Sequence, residues 1–109
     1  QFIHTLGGII KNSIEINNGL FWGGDFSIVK SLINNNKISS NDIKFFMGYS
    51  GWSENQLENE IKEKSWILEN SSTKLCMQNL NSEIWSKIVK KKGEKYAIWA
   101  NLPINPNLN

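Results

Sequence analysis

The sequence predicts an α+β domain, a mixed β-sheet with about three helices packed on it. Three observations lead there. Short runs alternating polar and apolar residues, bounded by Gly or Asn, read as strands, as in Ser13-Ile14-Glu15-Ile16. Apolar residues at helical spacing, as in Phe26, Ile28, Val29, Leu32 and Ile33, read as the inner face of a helix. Five Trp and five Phe in 109 residues, with 39% apolar and 20% charged residues, supply a core and exclude a disordered chain. The length suits a single domain over residues 1–109.

Taken in order, Phe2 to Leu6 reads as a short strand that ends at Gly7-Gly8, where positive φ carries no steric penalty. Ser13 to Ile16 and Leu20 to Trp22 flank Asn17-Asn18-Gly19, the strongest hairpin signal in the chain. Gly23-Gly24 then breaks the strand, Asp25 caps a helix through Ile33, and Asn34 to Asn36 end it. Ile43 to Tyr49, with the block Phe45-Phe46-Met47, reads as a central strand buried on both faces. After the turn Gly48-Tyr49-Ser50-Gly51, Ser53 and Gln56 form a capping box, and Trp52 is placed to be buried on Leu57 as a hydrophobic staple. On the solvated face of that helix, Glu58 with Lys62 and Glu60 with Lys64 are favourable i,i+4 pairs.

Ser65 to Glu69 reads as a further strand and Asn70-Ser71-Ser72 as a turn, while Thr73 to Gln78 is ambiguous. A last helix runs from Asn81, with Leu80 stapled on Trp85, through Ile84, Ile88 and Val89 to a Lys-rich final turn and Gly93 as its stop. The tail Asn101 to Pro106, with two prolines, is expected to be irregular.

The longest apolar run is far too short to span a membrane, and no charged-then-apolar signal opens the chain, so a cytoplasmic location without membrane contact is expected. The lone Cys76 excludes an internal disulfide and reads as a packed hydrophobe between Leu75 and Met77. Net charge is +2, and all twelve basic residues are Lys. Without the guanidinium fork, bidentate reading of guanine or phosphate loses its best side chain. Nucleic-acid contact through Lys87, Lys90, Lys91 and Lys92 is therefore weakly supported and would be nonspecific.

Gly48-Tyr49-Ser50-Gly51-Trp52 lies between strand and helix as a nucleophile elbow does, but Trp52 stands where the second Gly of that pattern belongs. The single His4 also precedes Ser50, the wrong order for that fold, so no catalytic residue is assigned. Gly23 and Gly24 open a helix where backbone N–H groups favour anions, but they match no phosphate fingerprint, so an anion-binding turn there is weakly supported and capping by Asp25 is the favoured reading. His4 reads as a strand residue with a satisfied ring. The chain shows no metal-ligand spacing and implies no cofactor.

Phe45-Phe46-Met47-Gly48-Tyr49-Ser50-Gly51-Trp52, then Gln56-Leu57-Glu58, Glu60 and Ser65-Trp66, resembles the YqgE/AlgH family, the UPF0301 proteins of unknown molecular function. Gly23-Gly24 after an aromatic strand, Trp85, and the ending Tyr96-Ala97-Ile98-Trp99-Ala100-Asn101 before Pro103 resemble its Bacteroidetes variant. The resemblance implies a cytosolic bacterial protein of mixed sheet and helix, with a link to transcriptional regulation of exopolysaccharide genes and no catalytic set. It also implies that these residues correspond to the C-terminal part of a longer chain. On that reading, Phe2 to Leu6 should present an open edge or apolar surface to an N-terminal region or to a second copy.

The combined reading is a binding or regulatory protein whose contact surface is Gly48, Tyr49, Ser50, Gly51, Trp52, Gln56 and Glu58. The alternative is a small-molecule or nucleotide-binding domain, enzymatic or not, that uses the same turn and helix. Convergent polar groups around an open pocket would favour the alternative, and a closed, capped turn the first.

Overall fold

The Asn17-Asn18-Gly19 link does close a hairpin, with Gly19 at φ +72, and that hairpin forms one side of a four-stranded sheet. A computed structural model describes residues 1–79 and 81–101 of the protein. The strands are β1 (Phe2–His4), β2 (Ile14–Asn17), β3 (Leu20–Trp22) and β4 (Ile43–Phe45), in the spatial order β2-β3-β1-β4 with every pairing antiparallel. Five helices accompany them: α1 (Phe26–Asn34), α2 (Gln56–Lys62), α3 (Thr73–Met77), α4 (Ser82–Lys91) and α5 (Glu94–Ala100). The α+β class holds, with two more helices than the sequence pattern suggests.

Residues opposite one another in an antiparallel ladder share a face. The register therefore puts Phe2, His4, Phe21, Ile43 and Phe45 on one face and Ile3, Trp22 and Lys44 on the other. On the first face Phe2 and Ile43 join Ile10 and Val29 of α1 in the core, with Leu6, Ile28, Leu32 and Ile38 around them. Asp25 starts α1 as its sequence position suggests, its Oδ1 accepting from the Ser27 N–H at 3.0 Å and the Ser27 hydroxyl at 2.7 Å. The Ser27 bonds hold the Asp25 carboxyl below its ordinary range.

His4 is fully buried and both ring nitrogens are matched: the Leu6 N–H donates to Nδ1 at 3.1 Å, and Nε2 donates to the Gly23 carbonyl at 2.9 Å. The ring stacks on Phe21 at 5.7 Å. Its expected role as a satisfied strand residue stands, and it locks β1 to the Gly23-Gly24 break. Gly24, at φ +114, is needed there because a Cβ would come within 2.7 Å of Ile10 Cγ2 and 2.9 Å of the Lys11 carbonyl oxygen.

Three expectations are corrected and one open segment is resolved. Phe2 to Leu6 does not face outward, because β1 is a central strand paired with β3 on one side and β4 on the other, with Phe2 and His4 buried. Ile43 to Tyr49 is not a central strand. The hairpin occupies the far side of β1, which leaves β4 at the sheet margin, shortened to Phe45 and with Phe45, Phe46 and Met47 exposed. Ser65 to Glu69 forms no strand, since Trp66 is drawn to the Glu60 carboxylate instead of a sheet edge. Thr73 to Met77 becomes α3, capped by Ser72, whose hydroxyl accepts from the Leu75 N–H at 3.1 Å.

The segment leading through α3 is tied across the hairpin and β4 by polar bonds. The Asn17 amide donates to the Ser71 carbonyl at 2.8 Å, the Thr73 hydroxyl to the Asn18 carbonyl at 2.6 Å, and Lys44 Nζ to the Cys76 and Gln78 carbonyls at 2.6 and 2.7 Å. Cys76 is half-buried with its Sγ 3.1 Å from Ser71 Oγ, in keeping with a packing role.

The chain divides into two units, Gln1–Gln78, which holds the four strands and α1 to α3, and Asn79–Asn109, which holds α4 and α5. Within the second, Asn81 caps α4 through the Ile84 N–H at 3.1 Å, and Gly93, at φ +108, separates α4 from α5. The Ser86 hydroxyl donates to the Ala100 carbonyl at 3.3 Å, so the two helices pair as a hairpin. The proposed Leu80 staple and the Leu102 to Pro106 tail fall outside the described residues. Among the described residues no helix is long and apolar enough to cross a membrane.

Candidate functional site

From Gly48 onward the backbone leaves the sheet. Gly48 sits at φ +79, and the chain runs irregularly through Tyr49, Ser50, Gly51 and Trp52, all exposed, before α2. Tyr49 is 87% exposed. The capping box predicted from Ser53 and Gln56 forms only in part. The Gln56 side-chain oxygen accepts from the Ser53 N–H and hydroxyl at 3.0 and 3.1 Å, but Ser53 does not cap in return. The Gln56 N–H closes a turn onto the Ser53 carbonyl instead, and α2 begins after Asn55, which takes a left-handed conformation at φ +61.

Trp52 is not buried against Leu57. It remains 40% exposed, and its indole N–H donates to Glu60 at 3.2 Å. Trp66, 46% exposed, donates to the same carboxylate oxygen at 2.7 Å, and the Gln56 amide donates to the other oxygen at 2.9 Å. The two indoles meet edge to face at 5.8 Å. Glu60 is thus the hub of the segment and is committed to three donors instead of the expected partner Lys64. Bonds from Trp66, then Gln56, then Trp52 stabilise its charged form and lower its pKa below the ordinary value.

The structure brings Trp52, Gln56 and Ser53 together, while Gly48, Tyr49, Ser50, Gly51 and Glu58 stay exposed around them. The polar groups converge on one another, so this is a closed brace that presents aromatic surface outward. Sequence spacing missed the roles of Glu60 and Trp66. The available signal was the placement of Glu60 four residues after Gln56, one helical turn along the same face.

The Gly23-Gly24 turn is already occupied by its own fold: the Gly23 N–H bonds the Phe2 carbonyl at 3.0 Å and the Asp25 N–H the Lys11 carbonyl at 2.9 Å. On α4, Lys87 pairs with Glu83 at 3.8 Å, Lys90 lies exposed one turn on, and Lys91 and Lys92 follow at the helix end. A shallow groove of about 290 Å³ on that helix is lined by Ser82, Glu83, Ser86, Lys87 and Lys90. Among the described residues no cluster of His, Cys, Asp and Glu has the makings of a metal site.

The model of the AlgH-like family, DUF179, matches residues 1–97. A UPF0301 protein of Chlorobium limicola is 44% identical over all 109 residues, which span 58% of that protein. A UPF0301 protein of Chlorobaculum tepidum is 39% identical over 98% of the chain and 57% of its own length. One from Cytophaga hutchinsonii is 37% identical over 93% and 56%. No solved structure matches. The chain belongs to the AlgH-like, UPF0301 family and spans somewhat over half the length of these relatives.

Proposed function

We propose that this AlgH-like chain acts by binding, through the surface formed by Gly48, Tyr49, Ser50, Gly51, Trp52, Gln56 and Glu58, and that its target is a protein. One observation carries the reading: aromatic side chains stand exposed but held, with Trp52 and Trp66 fixed by a shared carboxylate and Tyr49 exposed in the turn three residues before Trp52. Exposed aromatic groups that are already ordered bind at low entropic cost, which is why Trp and Tyr dominate the energetics of protein interfaces. The polar side chains of Ser53, Gln56 and Glu60 and the two indole N–H groups are engaged with one another, which favours an aromatic contact surface over a polar ligand pocket built from those groups. A regulatory role, transcriptional regulation included, would run through this protein contact. The lysines of α4 would add at most salt-sensitive, nonspecific attraction to nucleic acid.

The test is a photo-crosslinking residue at Tyr49, compared with one at the exposed Lys30 of α1. A discrete protein adduct at Tyr49 alone, lost when Trp52→Ala is added, is the expected result. A small molecule retained by the natively purified chain, with no protein adduct, would establish the ligand-binding alternative.

A further inference from the structure

The two margins of the sheet are treated differently. At the β2 margin the register slips between Glu15 and Asn17, Glu15 accepts from the Gly19 N–H at 3.1 Å, and Asn17 and Asn18 are bonded to Ser71 and Thr73. An irregular ladder, a charge and a covering segment are the usual ways in which sheets discourage further pairing. At the β4 margin the ladder runs without a register slip, and the α3 segment that crosses this strand is held by the Lys44 side chain, with no bond from it to the strand's own backbone among the described residues. The Phe46 N–H donates to the Gln1 carbonyl at 2.8 Å, the Gln1 amino group to the Phe46 carbonyl at 3.3 Å, and the Thr5 N–H to the Asp42 carbonyl at 3.0 Å. Even-numbered residues of this strand therefore face β1, and the backbone groups of Ile43, Phe45 and Met47 face outward. Among the described residues those outward groups have no hydrogen-bond partner. Lys44, the one charge that could guard this edge, has its ammonium bound to the Cys76 and Gln78 carbonyls. Phe45 and Phe46 are exposed, and Met47 is fully so.

We infer that the edge Ile43 to Met47 is a strand-addition site, and that its occupant is an extended segment from the part of a family-length chain that lies outside the region matched here. The relatives supply the length: the 109 residues account for only 58% of the Chlorobium limicola protein. A second copy fits less well. Edge-to-edge pairing would engage five residues of each copy, where a stable dimer uses roughly 20–30 residues a side. A segment of the same polypeptide is spared most of the entropy cost of association. Its backbone would satisfy the outward groups of Ile43, Phe45 and Met47, and its alternating apolar side chains would cover Phe45 and Phe46. The edge adjoins the surface that begins at Gly48 but shares no residue with it, and the crosslink from Met47 reads the edge independently of one from Tyr49.

The test uses two proteins, this chain and the full-length Chlorobium limicola relative, each carrying a photo-crosslinking residue at Met47 or the position aligned with it. In the relative, the crosslink should run within one molecule to a segment outside the matched region. Amides at the positions of Phe45 and Met47 should exchange at least about tenfold more slowly there than in the 109-residue chain. Fast exchange in both proteins overturns the site. A crosslink between copies, or slow exchange without a crosslink into that segment, overturns the occupant.

Discussion

In the sheet, α1 and the loop after β1, Phe2, Ile10, Val29 and Ile43 are withdrawn from water, and the one polar side chain buried with them, His4, is bonded at both nitrogens. In α2 and the turn before it no residue of the helix is buried, and order comes from a carboxylate that gathers two indoles and an amide. The first region is held by the release of apolar surface from water, a contribution that extends over many residues. The second is held by a few charge-assisted hydrogen bonds in contact with solvent, each modest and dependent on one ionised group. The difference teaches where a surface can stay exposed and still be ordered: aromatic groups need not be buried if their N–H donors are anchored.

Ile10→Ala should have the largest effect. It empties a fully buried position and should cost about 2–5 kcal/mol, seen as an early denaturant midpoint. Gly24→Ala should follow at about 1–3 kcal/mol, because the new methyl meets Ile10 and the Lys11 carbonyl at a φ that an L-residue resists. If either variant melts at the wild-type temperature, the sheet half is not the seat of stability.

Trp52→Ala should cost less than Ile10→Ala, since much of the indole already faces water. Its effect should be a loss of ordered near-ultraviolet signal from the Trp52 and Trp66 pair. A destabilisation equal to that of Ile10→Ala would mean that the brace is part of the core.

Glu60→Gln should change global stability least while altering tryptophan emission, because the charged acceptor of both indoles is removed. The pH dependence follows in sign. The folded carboxyl is held below its ordinary value, so its contribution is full above the unfolded pKa of about 4.3 and is lost as pH falls through the lower folded value. Wild-type emission should therefore hold through the ordinary glutamate range and shift only at more acid pH, in a step that Glu60→Gln lacks. A wild-type step at or above pH ~4.3 would show that the three donors do not favour the charged form.

Local chemistry determined much of this chain by itself. Gly19 permits the hairpin turn, Asp25 and Asn81 supply N-cap oxygens, Val29 and Val89 fall on buried helix faces, and Gly93 stops α4; each depends on residues within a turn or two of itself. The family was legible in the order of motifs from Phe45 to Trp66. What only the tertiary structure decided was position in the sheet and partnership across loops. The apolar block Phe45-Phe46-Met47 has the composition of a central strand, but strand order depends on which edge of β1 the hairpin takes, and no residue in the block encodes that. In the same way, Glu60 has a suitable lysine four residues on. It binds Trp66 and Trp52 because the chain turns back at Lys64, φ +60, and brings one indole to meet the other over the carboxylate. Periodicity records which face a side chain occupies, and only the folded backbone brings in the partner that the face will meet.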